Sequence, residues 1–265
     1  MYDFNYHRPK KLDEAVTKLS SGADGKLVAG GMTLIPTLKQ RLAQPSDLVD
    51  LSEVSGLAGI SVDGDTVTIG SMTRHCDVAA SADIAKIIPA LASLANHIGD
   101  AQVRHRGTIG GSISNNDPAA DYPAGALGLK ATIVTTKRES DADEFFTGLF
   151  ETALEEDEII TFVRFPKPKR AAYMKFPNPA SRYAMVGVMV AETVDGVRVA
   201  VTGAGDDGVF RATEMEQALD ASFSADAIAD ITISDADLMS DIHASAEYRA
   251  HLISVMAKRA VEAAN

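Results

Sequence analysis

The chain has 265 residues, 46% of them hydrophobic, and carries 25 Lys and Arg against 37 Asp and Glu for a net charge of −12. That length supports two or three lobes with a substantial core, and the acidic balance argues against broad binding along a nucleic-acid backbone. The one cysteine, Cys76, excludes an intramolecular disulfide framework and a cysteine-ligated iron–sulfur cluster within the chain, and it fits a reducing cytoplasm. The opening Met1-Tyr-Asp-Phe-Asn-Tyr does not read as a signal peptide, and no apolar run reaches the ~18 residues of a membrane span.

Leu12, Val16 and Leu19 share one face of residues 11–20, which predicts a helix. Lys26 to Ala29 reads as a short buried strand ending at Gly30-Gly31. From Thr33, Leu34, Leu38 and Leu42 recur at helical spacing, so a helix begins as the glycine turn ends, with Pro36 tolerated in its first turn. Such a start offers free N–H groups and a positive dipole end, both suited to phosphate. Residues 48–51 form a second strand, and residues 57–61 and 66–70 flank Asp63-Gly64-Asp65 as a hairpin. Apolar residues from Ile84 through Leu91 to Ile98 predict one amphipathic helix. Residues 107–123 follow as a long loop, then strands at 131–135 and 159–165. Pro166-Lys-Pro168-Lys-Arg170 marks a lobe boundary. Strands at 185–191 and 197–202 and a helix over 248–264 complete a mixed α+β order.

The run at 107–123 reads Gly-Thr-Ile-Gly-Gly-Ser-Ile-Ser-Asn-Asn-Asp-Pro-Ala-Ala-Asp-Tyr-Pro and lacks Lys and Arg. Bare glycines let a ligand approach the backbone, and successive N–H groups make a concave anion site. With the turn Val28-Ala29-Gly30-Gly31-Met32-Thr33 it could hold the pyrophosphate of a dinucleotide, and Asp121 is a natural acceptor for ribose hydroxyls. A formal dinucleotide fingerprint, Gly203-Ala-Gly205-Asp-Asp-Gly208, is set aside: its two Asp residues would repel a pyrophosphate, and it reads as a polar hairpin turn. His75, His97 and His105 fit no metal-ligand spacing and read as surface or turn residues. Arg104-His105-Arg106 reads as a solvated basic face or an attractor of anions. No Walker lysine, nucleophile elbow or paired-carboxylate constellation is present, and no catalytic residue is assigned.

The segment Ala29-Gly30-Gly31-Met32-Thr33-Leu34-Ile35-Pro36 resembles the A-G-G-x-[ST/D]-L-[LI]-P turn of the FAD-binding (medium) subunits of molybdenum hydroxylases. That family includes the carbon monoxide dehydrogenase medium subunit and the xanthine dehydrogenase flavin domain. Arg104 to Pro123 is similar to its second motif, and Phe4-Asn-Tyr-His-Arg-Pro-Lys and Ser245-Ala-Glu-Tyr-Arg-Ala-His-Leu extend the likeness almost end to end. The resemblance implies an α+β, PCMH (vanillyl-alcohol-oxidase)-type FAD-binding fold: two N-terminal lobes, 1–55 and 56–169, and a C-terminal lobe, 170–265, with an antiparallel sheet and helices. It implies non-covalent FAD, with Ala29, Gly30, Gly31, Met32, Thr33, Thr108, Gly110, Gly111 and Ser112 holding the pyrophosphate largely through backbone N–H groups. Asp121 would take the adenosine ribose, the segment ending at Ala101 would cover the adenine, and Lys175 and Tyr183 would approach the isoalloxazine. Asn178 and Arg182 stand where the family often has other residues.

The same resemblance implies a cytoplasmic electron-transfer component of a hetero-oligomer with no transmembrane segment and no nucleic-acid partner. Molybdenum–pterin would lie on a large subunit and two [2Fe–2S] clusters on a small one. A stand-alone flavin oxidoreductase of the same fold, or a flavin-binding assembly module without turnover, are the alternatives the residues leave open.

Overall fold

The computed structural model describes residues 1–264. The chain first builds β1 (Asn5–His7), α1 (Leu12–Ser21), β2 (Gly25–Val28), α2 (Leu34–Lys39) and β3 (Asp47–Asp50). The three strands pair in parallel in the order β1-β3-β2. Ala15 and Leu19 of α1 pack on Val49 and Leu51, so its apolar stripe is what docks it to the sheet. The β2–α2 turn, residues 29–33, therefore lies at the carboxyl end of a parallel strand, where α/β sheets open a crevice for ligands. Arg41 takes φ 60° just beyond α2, and Leu42 ends up 73% exposed rather than on the buried face that its spacing predicts.

The hairpin is formed by β4 (Ile60–Asp63) and β5 (Thr66–Gly70). Then come α3 (His75–Ala80), α4 (Ala82–Ile87), α5 (Pro89–Asn96), α6 (Ala101–Arg106), α7 (Ile109–Asn115) and α8 (Asp121–Gly128). The helix expected over 84–98 is two helices. Pro89 starts the second, and Ile88, the residue before proline, is driven to φ −135°, ψ 69°.

The expected loop at 107–123 is also mostly helical. Thr108 caps α7 by accepting from Gly111 N at 3.2 Å, and Asn116 ends it in the left-handed region at φ 40°. Every residue of α8 is buried, so the helix shows no polar face and no amphipathic period. Its glycines are packing sites: a Cβ on Gly125 would lie 2.8 Å from Leu94, and one on Gly128 2.6 Å from Met189.

β6 (Thr132–Thr135), β7 (Glu139–Asp141), α9 (Ala142–Phe145), the small hairpin β8 (Phe146–Gly148) and β9 (Glu151–Thr152), and β10 (Ile160–Pro166) complete this region. They give an antiparallel sheet ordered β4-β5-β10-β6-β7. Its core joins Ile69, Val163 and Phe165 to Leu91, Ile109, Ile113 and Tyr122 from the helices.

The last sheet is antiparallel, with β11 (Arg170–Pro177), β12 (Ala184–Thr193), β13 (Gly196–Gly205) and β14 (Gly208–Arg211) in sequence order. Asp206 and Asp207 sit in the β13–β14 turn, as the hairpin reading expects. α10 (Thr213–Ala221) and α11 (Ala246–Ala263) follow. Val186, Val188 and Val190 of β12 join the core under these two helices, while Met189 and Ala191 join the core of α5 and α8. Burial on both faces explains the nearly unbroken apolar run of β12. Among the described residues no helix is long and apolar enough to cross a membrane.

Candidate functional site

A cleft of about 520 Å³ runs between the three sheets, within the ~300–1,000 Å³ of small-molecule and cofactor sites. Its walls include Ala29, Gly30, Gly31, Met32 and Thr33 from the β2–α2 turn and Thr108, Gly110, Gly111 and Ser112 from the start of α7. The two glycine turns touch. A Cβ on Gly30 would collide with the carbonyl oxygen of Arg106 and lie 2.7 Å from Gly107 Cα, and one on Gly111 would lie 3.5 Å from Ala29 Cβ. At Gly30 only a residue without a side chain permits that approach, while the Gly111–Ala29 spacing is ordinary van der Waals contact.

The turns differ in where their N–H groups go. Around Thr108, Ile109 N donates to Thr73 O at 3.1 Å, Gly110 N to Ser71 O at 2.8 Å, and Gly111 N to the Thr108 hydroxyl. Gly110 faces the protein: its Cβ would lie 2.5 Å from Ser71 Cβ. In the first turn, no protein acceptor among the described residues meets the N–H groups of Gly30, Gly31, Met32 or Thr33. Gly31 there adopts φ 70°, a left-handed conformation that glycine takes without strain. The free donors expected of both turns are thus concentrated in the first.

Asp121 borders the cleft but is buried, with 4% of its side chain exposed. Its carboxylate accepts from the Tyr173 hydroxyl at 2.6 Å and from Lys175 Nζ at 2.9 Å, and Lys175 also donates to the His97 carbonyl at 3.0 Å. Burial pushes the Asp121 carboxyl up, opposed by the Lys175 ammonium and the Tyr173 hydroxyl. The expected ribose acceptor and flavin-side cation are therefore bonded to each other. Lys175 is equally buried at 4% and does not line the cleft. Tyr173 reaches Asp121 across Gly187, where any Cβ would collide with its hydroxyl.

Ala101 is exposed at the start of α6 and also lies off the cleft. The wall at that end is Ile98, Gly99 and Val103, with Gly99 at φ 50° so that Val103 can pack against it. Arg104 is not a solvated cation: Nη1 donates to the carbonyls of Ile98 and Gly99, each at 3.0 Å, and ties that wall in place. At the other end Tyr183 lines the cleft, its phenol pushed up by burial and by Asp117 and Asp121. Asn178 shapes that turn by accepting from Ala180 N and Ser181 N at 2.9 and 3.2 Å, and Arg182, at φ 62°, turns toward the cleft.

Among the cleft residues that the sequence does not assign to the site are Ser71 and His75, the latter read there as a surface or turn residue. Both belong to Gly70-Ser-Met-Thr-Arg-His75, a small polar run after a strand with the same character as the two glycine turns. His97 and His105 are exposed as expected, but His75 is buried at 4%, and burial together with the nearby Arg104 lowers its pKa to about 4. Ser71 Oγ and His75 Nδ1 are buried and have no hydrogen-bond partner among the described residues. Free backbone donors beside bare glycines fit the phosphate portion of a dinucleotide. Among the described residues no cluster of His, Cys, Asp and Glu could hold a metal ion.

Residues 2–168 match the family described as FAD binding domain in molybdopterin dehydrogenase, and residues 171–264 match the CO dehydrogenase flavoprotein C-terminal domain. The chain is 36% identical to the carbon monoxide dehydrogenase medium chain of Hydrogenophaga pseudoflava, over 98% of this chain and 96% of that one. It is 35% identical to the nicotine 6-hydroxylase medium subunit of Paenarthrobacter nicotinovorans, over 97% and 95% of the two chains. Among solved structures, reconstituted CO dehydrogenase from Oligotropha carboxidovorans superposes with a TM-score of 0.90 at 33% identity, covering 98% of this chain and 97% of that one.

Proposed function

Because the chain belongs to the family of FAD-binding subunits of molybdopterin dehydrogenases, we propose that it is the flavin-carrying electron-transfer component of a cytoplasmic molybdenum hydroxylase. The observation that carries this reading is the direct contact of the two glycine turns along one cleft, where Gly30 to Thr33 line the wall and their N–H groups meet no protein acceptor among the described residues. FAD, when bound, supplies the exchange between single-electron donors and two-electron acceptors.

The residues of the chain do the rest. Gly30 to Thr33 hold the pyrophosphate through backbone N–H groups, and Ser112, beside them, contributes a hydroxyl. Thr108, Gly110 and Gly111 supply the rigid floor that keeps the first turn in place. Ile98, Gly99 and Val103 form an apolar wall for the adenine, fixed by Arg104. Asp121 and Lys175 couple that wall to the last sheet, because Lys175 bridges Asp121 to the His97 carbonyl. Tyr183 and Arg182 border the flavin end, so their polarity and access govern which acceptor can approach. The three lobes 1–55, 56–169 and 170–265 each contribute one wall.

On this reading one partner is an iron–sulfur subunit and another a molybdopterin subunit, since one cysteine cannot ligate the clusters itself. The test is an anaerobic titration of the FAD-loaded chain with a reduced [2Fe–2S] partner subunit. The expected result is loss of the oxidised flavin absorbance with two electrons delivered per FAD. Absence of flavin bleaching at stoichiometric reduced partner, with FAD still bound, would contradict it.

A further inference from the structure

Leu149 and Phe150 form the two-residue turn between β8 and β9, where Gly148 pairs with Glu151. Phe150 adopts φ 56° there, a left-handed conformation that glycine or asparagine takes readily and a bulky side chain takes only under constraint. The constraint is Asn116. Its buried side-chain amide donates to the Gly148 and Glu151 carbonyls at 2.9 and 2.8 Å and clamps both arms of the hairpin. The fold gains little from the aromatic it holds this way: Phe150 is 55% exposed and Leu149 46%, and neither joins a hydrophobic core. A strained backbone kept by a buried clamp beneath exposed apolar side chains points to a contact outside the chain.

The hairpin stands at one end of the cleft. Thr152 of β9 and Leu154 just beyond it line the cleft, as do Asn115 and Asp117, the sequence neighbours of the clamp. Burial and then Asp117 push the Tyr183 phenol up, so this is the end that Tyr183 and Arg182 border. Glu151 at the turn and Glu156 on the cleft wall are exposed and form no ion pair among the described residues, whereas Glu155 and Asp157 share Lys137. We propose that the β8–β9 turn docks the single-electron donor, an iron–sulfur subunit whose matching face carries an apolar socket for Phe150 and Leu149, rimmed by Lys or Arg opposite Glu151 and Glu156. The proposal rests on the reading of the chain as an electron-transfer component with FAD in the cleft. A donor of single electrons must sit at the flavin end, and the rigid apolar turn stands beside that end. Val194 and Ile242 are more exposed, at 79% and 95%, but lie off the cleft.

The test is equilibrium binding of the FAD-loaded chain to the purified iron–sulfur subunit of its own complex, for wild type, Phe150→Asn, Leu149→Ser, Glu151→Lys and the distant control Ile242→Ser. Thermal unfolding and an FAD titration of each free chain run in parallel. Phe150→Asn should weaken the partner about thirtyfold, the range of an interface anchor. Its free chain should melt at or above the wild-type temperature, because asparagine suits the left-handed backbone, and should bind FAD unchanged. Leu149→Ser should weaken the partner about fivefold, Glu151→Lys should slow association and flatten its salt dependence, and Ile242→Ser should match wild type. Wild-type partner affinity in both Phe150→Asn and Leu149→Ser would overturn the proposal. A loss of partner affinity matched by a lower melting temperature or weaker FAD binding would assign Phe150 to the fold and overturn it too. If the hairpin variants lose the partner as expected but the reduced partner fails to bleach the wild-type flavin, docking stands and the electron-transfer reading falls. Failure of wild type to bind the iron–sulfur subunit would remove both.

Discussion

The turns at 29–33 and 107–112 share a composition of glycine, small residues and hydroxyls, yet they do opposite things with their backbones. The first leaves the N–H groups of Gly30 to Thr33 without an acceptor among the described residues and turns through a left-handed Gly31 at the cleft wall. In the second, the N–H groups of Ile109, Gly110 and Gly111 go back into the protein, onto Thr73 O, Ser71 O and the Thr108 hydroxyl. Its glycines serve close packing: Gly107 admits His75, Gly110 admits Ser71, and the turn as a whole admits Gly30. A glycine-rich motif is therefore no measure of ligand contact; the destination of each N–H is.

Substitutions at individual glycines separate the two roles. Gly30→Ala has the largest expected effect, because its Cβ would strike the Arg106 carbonyl and force the turns apart. FAD binding should vanish and stability should fall by ~3 kcal/mol or more, since backbone atoms must move; a urea melt with a flavin titration reads both. Asp121→Asn breaks the buried pair with Lys175 behind the second turn and should cost ~3 kcal/mol in the same melt, the lower range for an uncompensated buried charge.

Gly110→Ala should lose ~2 kcal/mol against Ser71. Gly111→Ala, whose Cβ would lie 3.0 Å from the Thr108 hydroxyl, should stay within ~1 kcal/mol because alanine favours the helix. Equal destabilisation by these two would contradict the inward assignment of Gly110.

His75 supplies a pH test of the wall behind the turn. Its folded pKa of about 4 lies below the model-peptide 6.5, so the unfolded chain binds more protons between those values. Stability attributable to the neutral ring is therefore present above pH ~6.5 and lost as pH falls toward 4, by at most ~3 kcal/mol. The difference between wild type and His75→Phe in urea melts from pH 7.5 to 4.5 should show that slope, and parallel curves would contradict the burial of a neutral imidazole. Tyr173→Phe is expected to be the mildest, ~1 kcal/mol from one hydroxyl lost to Asp121.

Much of this was legible in the residues. The α+β order, the β2–α2 turn, the β13–β14 hairpin and the identity of both glycine motifs follow from periodicity, turn chemistry and resemblance. What was not legible has physical causes. α8 is buried on every side, so its sequence lacks the amphipathic period that marks a surface helix, and its two glycines mimic a loop while serving helix and sheet contacts. Pro89 divides a continuous apolar stripe without disturbing its spacing.

Asp121 and Lys175 are far apart in sequence, and only the packing of β11 against α8 and α5 reveals that each is the other's partner. His75 read as an ordinary turn histidine because its ring packs against a glycine more than 30 residues later, Gly107.

The central claim is that the touching turns hold a dinucleotide pyrophosphate. It is tested most directly by comparing FAD with FMN, which lacks the adenylate half, in equilibrium titrations of the apo chain. With no Trp in the sequence, the flavin signal is read without indole interference. The account predicts one FAD per chain and binding at least ~100-fold tighter than FMN, about 2.7 kcal/mol from the second phosphate and the adenosine. Equal affinity for FMN and FAD, or no flavin binding at all, would contradict it.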